Sequence, residues 1–132
     1  MKRKIVAVLF MSVFLMPLFA QSLDDAVKQM KSAIATGNYS TLSNLFSDSV
    51  DLTIRDTDGI YSKTQAKGVL KSFFENEKPK SFQVKHQGSS NDGTIYAIGS
   101  FVSVNRTYRV YALFKEQQGN TKIVQFQIEE EL

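Results

Sequence analysis

The chain has 132 residues, 42% of them hydrophobic, which is enough for one compact domain and not two. It contains no cysteine, which excludes disulfides, thiol catalysis, cysteine-ligated metal and a lipid-modified cysteine behind an export signal. A formal charge of +3 and a pI near 9.1 would suit nucleic acid or an anionic membrane, but the positive excess is confined to one end.

That end reads "MKRKIVAVLFMSVFLMPLFAQS". A basic start (Lys2, Arg3, Lys4) precedes an apolar run from Ile5 to Phe19 that ends at the small residue Ala20. This is the layout of a secretory signal peptide, and it predicts residues 1–20 as a signal cleaved after Ala20 and 21–132 as the mature domain. The run is short for a spanning helix of about 20 residues, which favours cleavage over a retained anchor. Three of the 16 basic residues and none of the 13 acidic ones lie in the signal, so the remainder is balanced at 13 and 13. Nucleic-acid binding thereby loses its electrostatic support. Nor is stable membrane insertion expected once the signal is removed. The expected location is the periplasm or the cell exterior, and the core alone must hold together the roughly 112 residues that remain.

Ser22 is placed to cap the first helix, with Asp24 and Asp25 in its first turn. Leu23, Ala26, Val27, Met30, Ala33 and Ile34 recur at helical spacing, and Gly37 ends the run. Asn38 caps a short second helix that buries Leu42, Leu45 and Phe46. From Val50 the period becomes two, as Val50, Leu52 and Ile54 alternate with Asp51, Thr53 and Arg55 in a half-buried strand. "DTDG" reads as the turn that follows. Ser62 and Gln65 form a capping box for a third helix with Ala66, Val69, Leu70, Phe73 and Phe74 on one face, and Pro79 prevents its continuation. Four strands follow, at Ser81–Gln87, Thr94–Val104, Thr107–Lys115 and Thr121–Glu129, separated by "GSSNDG", "NR" and "QQGN".

The order is α-α-β-α-β-β-β-β, an α+β arrangement with three early helices on one face of a curved, mainly antiparallel sheet. Gly37, Asn38, Leu45, Phe46, Ser47, Asp48 and the run Val50–Ile54 together resemble a pattern of the nuclear-transport-factor-two-like superfamily, also called cystatin-like or SnoaL-like. More narrowly, the whole mature chain is similar to a family of small exported bacterial proteins, domain-of-unknown-function family 4783. The resemblance implies a cone in which the short helix and first strand form one wall, the third helix another and the bent sheet the rest. Its motifs specify fold well and function poorly.

His86, the only histidine, is expected opposite Ile95 on the face that holds Phe82 and Val84, where it could serve as a base or a ligand contact. A half-buried histidine with one backbone or water partner is the plainer reading. Enzymatic members of the superfamily, such as steroid isomerases and polyketide cyclases, place an acidic base near the end of the first strand. Here that region is Ile54, Arg55, Asp56, with Asp56 reachable only by a small shift and well suited to capping the turn. "DTDG" departs from a calcium loop, because Gly59 comes too early and no acidic residue lies between Ile60 and Phe74. No metal site and no cofactor are expected. Tyr61, His86, Phe101 and Tyr108 are the expected ligand-binding residues, and Tyr111, Arg109 and Gln125 are further polar-tipped positions on or beside the sheet.

A two-residue loop at Asn105-Arg106 would set Val102 opposite Arg109 and Gly99 opposite Ala112. One face then carries Ile95, Ala97, Gly99, Phe101, Val110, Ala112 and Phe114, assigned to the interior because its small residues suit close helix packing. The opposite face carries Tyr96, Ile98, Val102, Val104, Arg109, Tyr111 and Leu113, joined by Val124, Phe126 and Ile128 if the "QQGN" loop is even. So much uncovered apolar surface predicts a homodimer through the outer sheet face. The sequence reads as a non-catalytic exported module with a cavity for a small apolar ligand or a partner protein. The alternatives are an isomerase or cyclase using His86 or Asp56, and a purely structural dimer.

Overall fold

The computed structural model describes the backbone of residues 18–132 and the side chains from Leu23 onward, so most of the expected export signal lies outside the described residues. Helix α1 spans Leu18–Thr36, α2 Tyr39–Asn44 and α3 Lys63–Asn76. Strands β1 (Phe46–Ile54), β2 (Thr57–Ser62), β3 (Pro79–Ser89), β4 (Ile95–Ser103), β5 (Thr107–Gln117) and β6 (Asn120–Glu130) form one six-stranded sheet in the order β2-β1-β6-β5-β4-β3. Only the β1–β6 pairing is parallel. The α+β class and the helices on one sheet face are as the sequence predicts.

Local chemistry explains the junctions. Gly37, at φ 69, ends α1 with the Asn38 amide donating to the Ala33 carbonyl at 2.8 Å and its own amide donating to Ile34 at 3.3 Å, a paired closure that glycine adopts without a Cβ penalty. The Asn38 side chain then accepts from the Thr41 amide at 3.0 Å to start α2. Ser62 and Gln65 form the expected capping box at the head of α3. The first helix differs from expectation. It begins at Leu18, so Ser22 lies inside it and Asp24 and Asp25 fall in its second turn. Residues 18–21 carry no helix breaker that would make the chain wait for Ser22.

The stretch read as a turn, "DTDG", is largely strand. The reversal is the two-residue loop Arg55-Asp56, with Ile54 opposite Thr57 and Leu52 opposite Gly59, which gives a sixth strand that the sequence reading lacks. Asp56 is therefore the second loop residue, and Thr57, Asp58 and Gly59 belong to β2.

The hairpin β4–β5 turns through four residues instead of two, so Val102 pairs with Thr107, Phe101 with Tyr108 and Ala97 with Ala112. The slip is by two positions, an even number, and side chains keep their expected faces. Ala97, Phe101, Val110, Ala112 and Phe114 are buried as assigned. The glycine among them serves a neighbouring strand rather than a helix, since a Cβ on Gly99 would lie 2.6 Å from the Phe82 ring.

Two β-bulges overturn other assignments. Between Leu113 and Phe114 the β5–β6 register shifts so that Val124 is the extra residue, which turns Phe126 and Ile128 inward, both 0% exposed. Between Val84 and His86 the β3–β4 register shifts likewise, so His86 pairs with Ile98 instead of Ile95 and lies exposed on the outer face.

Candidate functional site

The four residues expected to meet a ligand do not converge. Phe101 and Tyr108 are cross-strand partners, both 0% exposed. Their rings lie 6.1 Å apart and pack against Phe73 and Phe74 of α3 with centroids 5.2 to 5.9 Å apart, so where these residues meet, the cone is filled by its own aromatic side chains. Tyr61 is half-buried on β2, at one sheet edge. His86 belongs to β3, at the opposite edge, and on the outer face.

The feature the geometry offers instead is an open groove of about 660 Å³ between α3 and the β1–β2 turn. Half-buried Val69 and the buried Ile54 and Phe73 form its apolar lining, and Gln65, Ser72 and Asn76 its neutral polar groups. Along α3 the groove residues Gln65, Gly68, Val69, Ser72, Phe73 and Asn76 recur at helical spacing, so one continuous face of the helix forms a wall. Gly68 stands in the middle of that face. A Cβ built on it meets nothing within 4 Å. Neither an unusual φ nor a close neighbour requires glycine there, although glycine in a helix interior costs roughly 1 kcal/mol relative to alanine.

One end of the groove is closed by a polar knot around Glu77, the residue that caps α3 at its C-terminus. Glu77 is 3% exposed. Its Oε1 accepts from the Tyr108 hydroxyl at 2.8 Å, and its Oε2 from the Ser103 hydroxyl at 2.7 Å and the Asn105 side-chain amide at 3.3 Å. Burial pushes the Glu77 carboxyl up, but the hydrogen bonds from Ser103, Tyr108 and Asn105 together with the Arg106 charge outweigh it and hold it below the usual value. Burial and the bond to Glu77 raise the Tyr108 hydroxyl, keeping it a donor. The knot ties the end of α3 to the β4–β5 loop, which the Val104 amide also anchors by donating to the Lys78 carbonyl at 2.9 Å.

Arg55 approaches the same knot from the β1–β2 turn, its Nη1 3.8 Å from Glu77 Oε1 and its side chain 41% exposed. Its φ of 54 lies in the left-handed region, at the first position of a two-residue loop. Glycine is favoured there, and a side chain costs about 1 kcal/mol or more. The Arg55 amide donates to the Ile128 carbonyl at 3.0 Å, which fixes the turn over the edge of β6. Asp56 lines the groove beside it, exposed.

Sequence reasoning missed Glu77, Arg55 and Gly68. Glu77 meets partners 26 to 31 residues away, which no local pattern encodes. Gly68 did carry a signal, as an isolated glycine within a helical pattern. A second depression of about 530 Å³ lies where β1 begins, with the Ser47 hydroxyl donating to Gln117 Oε1 at 2.7 Å. No group of three or more metal-ligating side chains occurs among the described residues.

Comparison with solved structures places the fold. A DUF4783 family protein from Bacteroides uniformis ATCC 8492 is 31% identical with a TM-score of 0.74, covering 80% of this chain and 96% of that one. An NTF2-like protein from Cytophaga hutchinsonii ATCC 33406 is 15% identical with a TM-score of 0.61 over 85% of this chain and 98% of that one. A domain with a cystatin-like fold from Nostoc punctiforme PCC 73102 is 12% identical with a TM-score of 0.67 over 89% and 80% of the two chains. The latter two share the fold alone. No curated protein matches the chain. The profile of the domain of unknown function DUF4783 matches residues 27–129, and the chain belongs to that family.

Proposed function

We propose that this protein is an exported, non-catalytic binding module that holds a small, largely apolar ligand in the groove between α3 and the β1–β2 turn. The observation that carries the reading is Gly68. It stands exposed in the middle of the helix wall, next to Val69 and Phe73, with no other atom of the described chain within 4 Å of where its Cβ would be. A volume of about 660 Å³ falls in the range of small-molecule sites. The groove's buried carboxylate supports a binding role over a catalytic one. Glu77 has both oxygens occupied and its basicity lowered, the reverse of what a general base needs. His86 is exposed on the outer face and is not among the residues that line the groove.

Titration with decanol, a neutral apolar probe, followed by backbone amide shifts, tests the site. Perturbations should cluster at 54–57 and 65–77, and a cluster around Phe101 and Ala112 without them would overturn it. N-terminal sequencing of the protein from the producing cell tests export. The expected start is Gln21 or within a few residues of it, and a retained Met1 in the soluble fraction would contradict the signal.

A second reading concerns self-association. Tyr96, Ile98, Val102, Tyr111 and Leu113 remain half-exposed on the outer sheet face, which no described helix covers. The inward turn of Phe126 and Ile128 makes the patch smaller than the sequence suggests. A second copy of this face would cover it. Light scattering after size exclusion should then give a dimer that Ile98→Asp and Tyr111→Asp disrupt, and a monomer indifferent to both would refute it.

A further inference from the structure

We propose that the groove takes a small amphiphile with a carboxylate head, whose head binds the Arg55 guanidinium while its apolar body lies on Ile54, Val69 and Phe73. The proposal rests on the groove reading above and adds the chemistry of the occupant. Three groove residues carry formal charge: Arg55, Asp56 and Glu77. Glu77 is already satisfied, with hydrogen bonds from Tyr108, Ser103 and Asn105 on its two oxygens, and has little to offer a ligand. Arg55 is the opposite case. Among the described residues its ionic partner is Glu77 at 3.8 Å, beyond hydrogen-bond reach, and its side chain donates no hydrogen bond.

A guanidinium presents five N–H donors in a planar fork that matches a carboxylate in a bidentate manner. Here that fork stands at the end of an apolar floor, 41% exposed, on a backbone held at φ 54 by the Ile128 carbonyl. A non-glycine residue kept in that conformation beside a groove points to use of its side chain. One cation between Asp56 and Glu77 suits a monoanion better than a doubly charged phosphate, whose second charge would face the two carboxylates unpaired. Asp56 also repels the head group, so it limits affinity.

Calorimetric titration of the mature chain at neutral pH with decanoate and with decanol separates the claims. Decanoate should bind more tightly than decanol. Arg55→Gln should weaken decanoate roughly tenfold or more while leaving decanol within about twofold, and Arg55→Lys, which keeps the charge but loses the fork, should fall between. Asp56→Asn should tighten decanoate. Gly68→Leu should block both probes. Equal affinity for the two probes, or decanoate binding unchanged in Arg55→Gln, overturns the head-group assignment and leaves the groove standing. Failure of both probes to bind, or binding untouched by Gly68→Leu, overturns the groove as well.

Discussion

Gly68→Ala should stabilise the protein, and the size of the gain follows from the empty space above the residue. Glycine in a helix interior is less favourable than alanine by roughly 0.8–1 kcal/mol, because it loses more backbone freedom on folding. The substitution normally fails to recover this where the new Cβ collides or the backbone is left-handed. At Gly68 neither applies, since its Cβ would meet nothing within 4 Å. The ligand-free protein should therefore gain about 1 kcal/mol, near 4 to 5 °C in Tm for a domain of this size. Gly99→Ala is the matched control. Its Cβ would lie 2.6 Å from the Phe82 ring and 2.7 Å from the Gln83 carbonyl oxygen, so the same change should cost about 1–3 kcal/mol by overpacking. Urea unfolding of the two variants, refolded from denaturant to remove co-purified small molecules, measures both. A loss of stability in Gly68→Ala would mean that some part of the native protein already fills the space beside Gly68, contrary to an open groove.

Glu77→Gln should cost about 2 kcal/mol at neutral pH, the scale of hydrogen bonds to a buried charge. Because the folded-state carboxyl lies below its ordinary value of 4.5, its stabilisation is full above that pH and lost as pH falls through the folded value. Acid unfolding curves of the wild type and Glu77→Gln should therefore converge on acidification, and curves that stay parallel would refute the role. Gln118→Asn should stabilise by about 0.5 kcal/mol or more, since Gln118 at φ 52 and Gly119 at φ 80 form a two-residue hairpin loop that favours Asn-Gly; unchanged urea midpoints would count against it. His86→Ala should leave stability within about 0.5 kcal/mol and probe binding unaltered, and a large loss in either would return the histidine to consideration.

What the sequence discloses here is what local chemistry encodes. The Ser62–Gln65 capping box, the Gly37 stop and the alternation through Val50, Leu52 and Ile54 each depend on neighbours a few residues away, and each appears as expected. The bulges at Val124 and near Lys85 have no such signature. Each inserts one ordinary residue into a strand, yet each reverses every face beyond it, which is why His86 turns outward and Phe126 and Ile128 turn inward. The loop at Arg55-Asp56 was hidden for a related reason. Asp58 and Gly59 carry the stronger turn preference, but the β1–β2 register puts the reversal at a strained arginine. The end of the groove was hidden by distance along the chain, since Arg55 and Glu77, with Tyr108 bonded behind them, come from three separate segments.

Whether a small molecule occupies the groove beside Gly68 is read by native mass spectrometry of protein isolated from its producing cell. The wild type should carry a bound small molecule on a mature chain beginning near Gln21, and Gly68→Leu, prepared identically, should be the bare chain. A bare wild-type chain, or an adduct that survives in Gly68→Leu, would contradict the account.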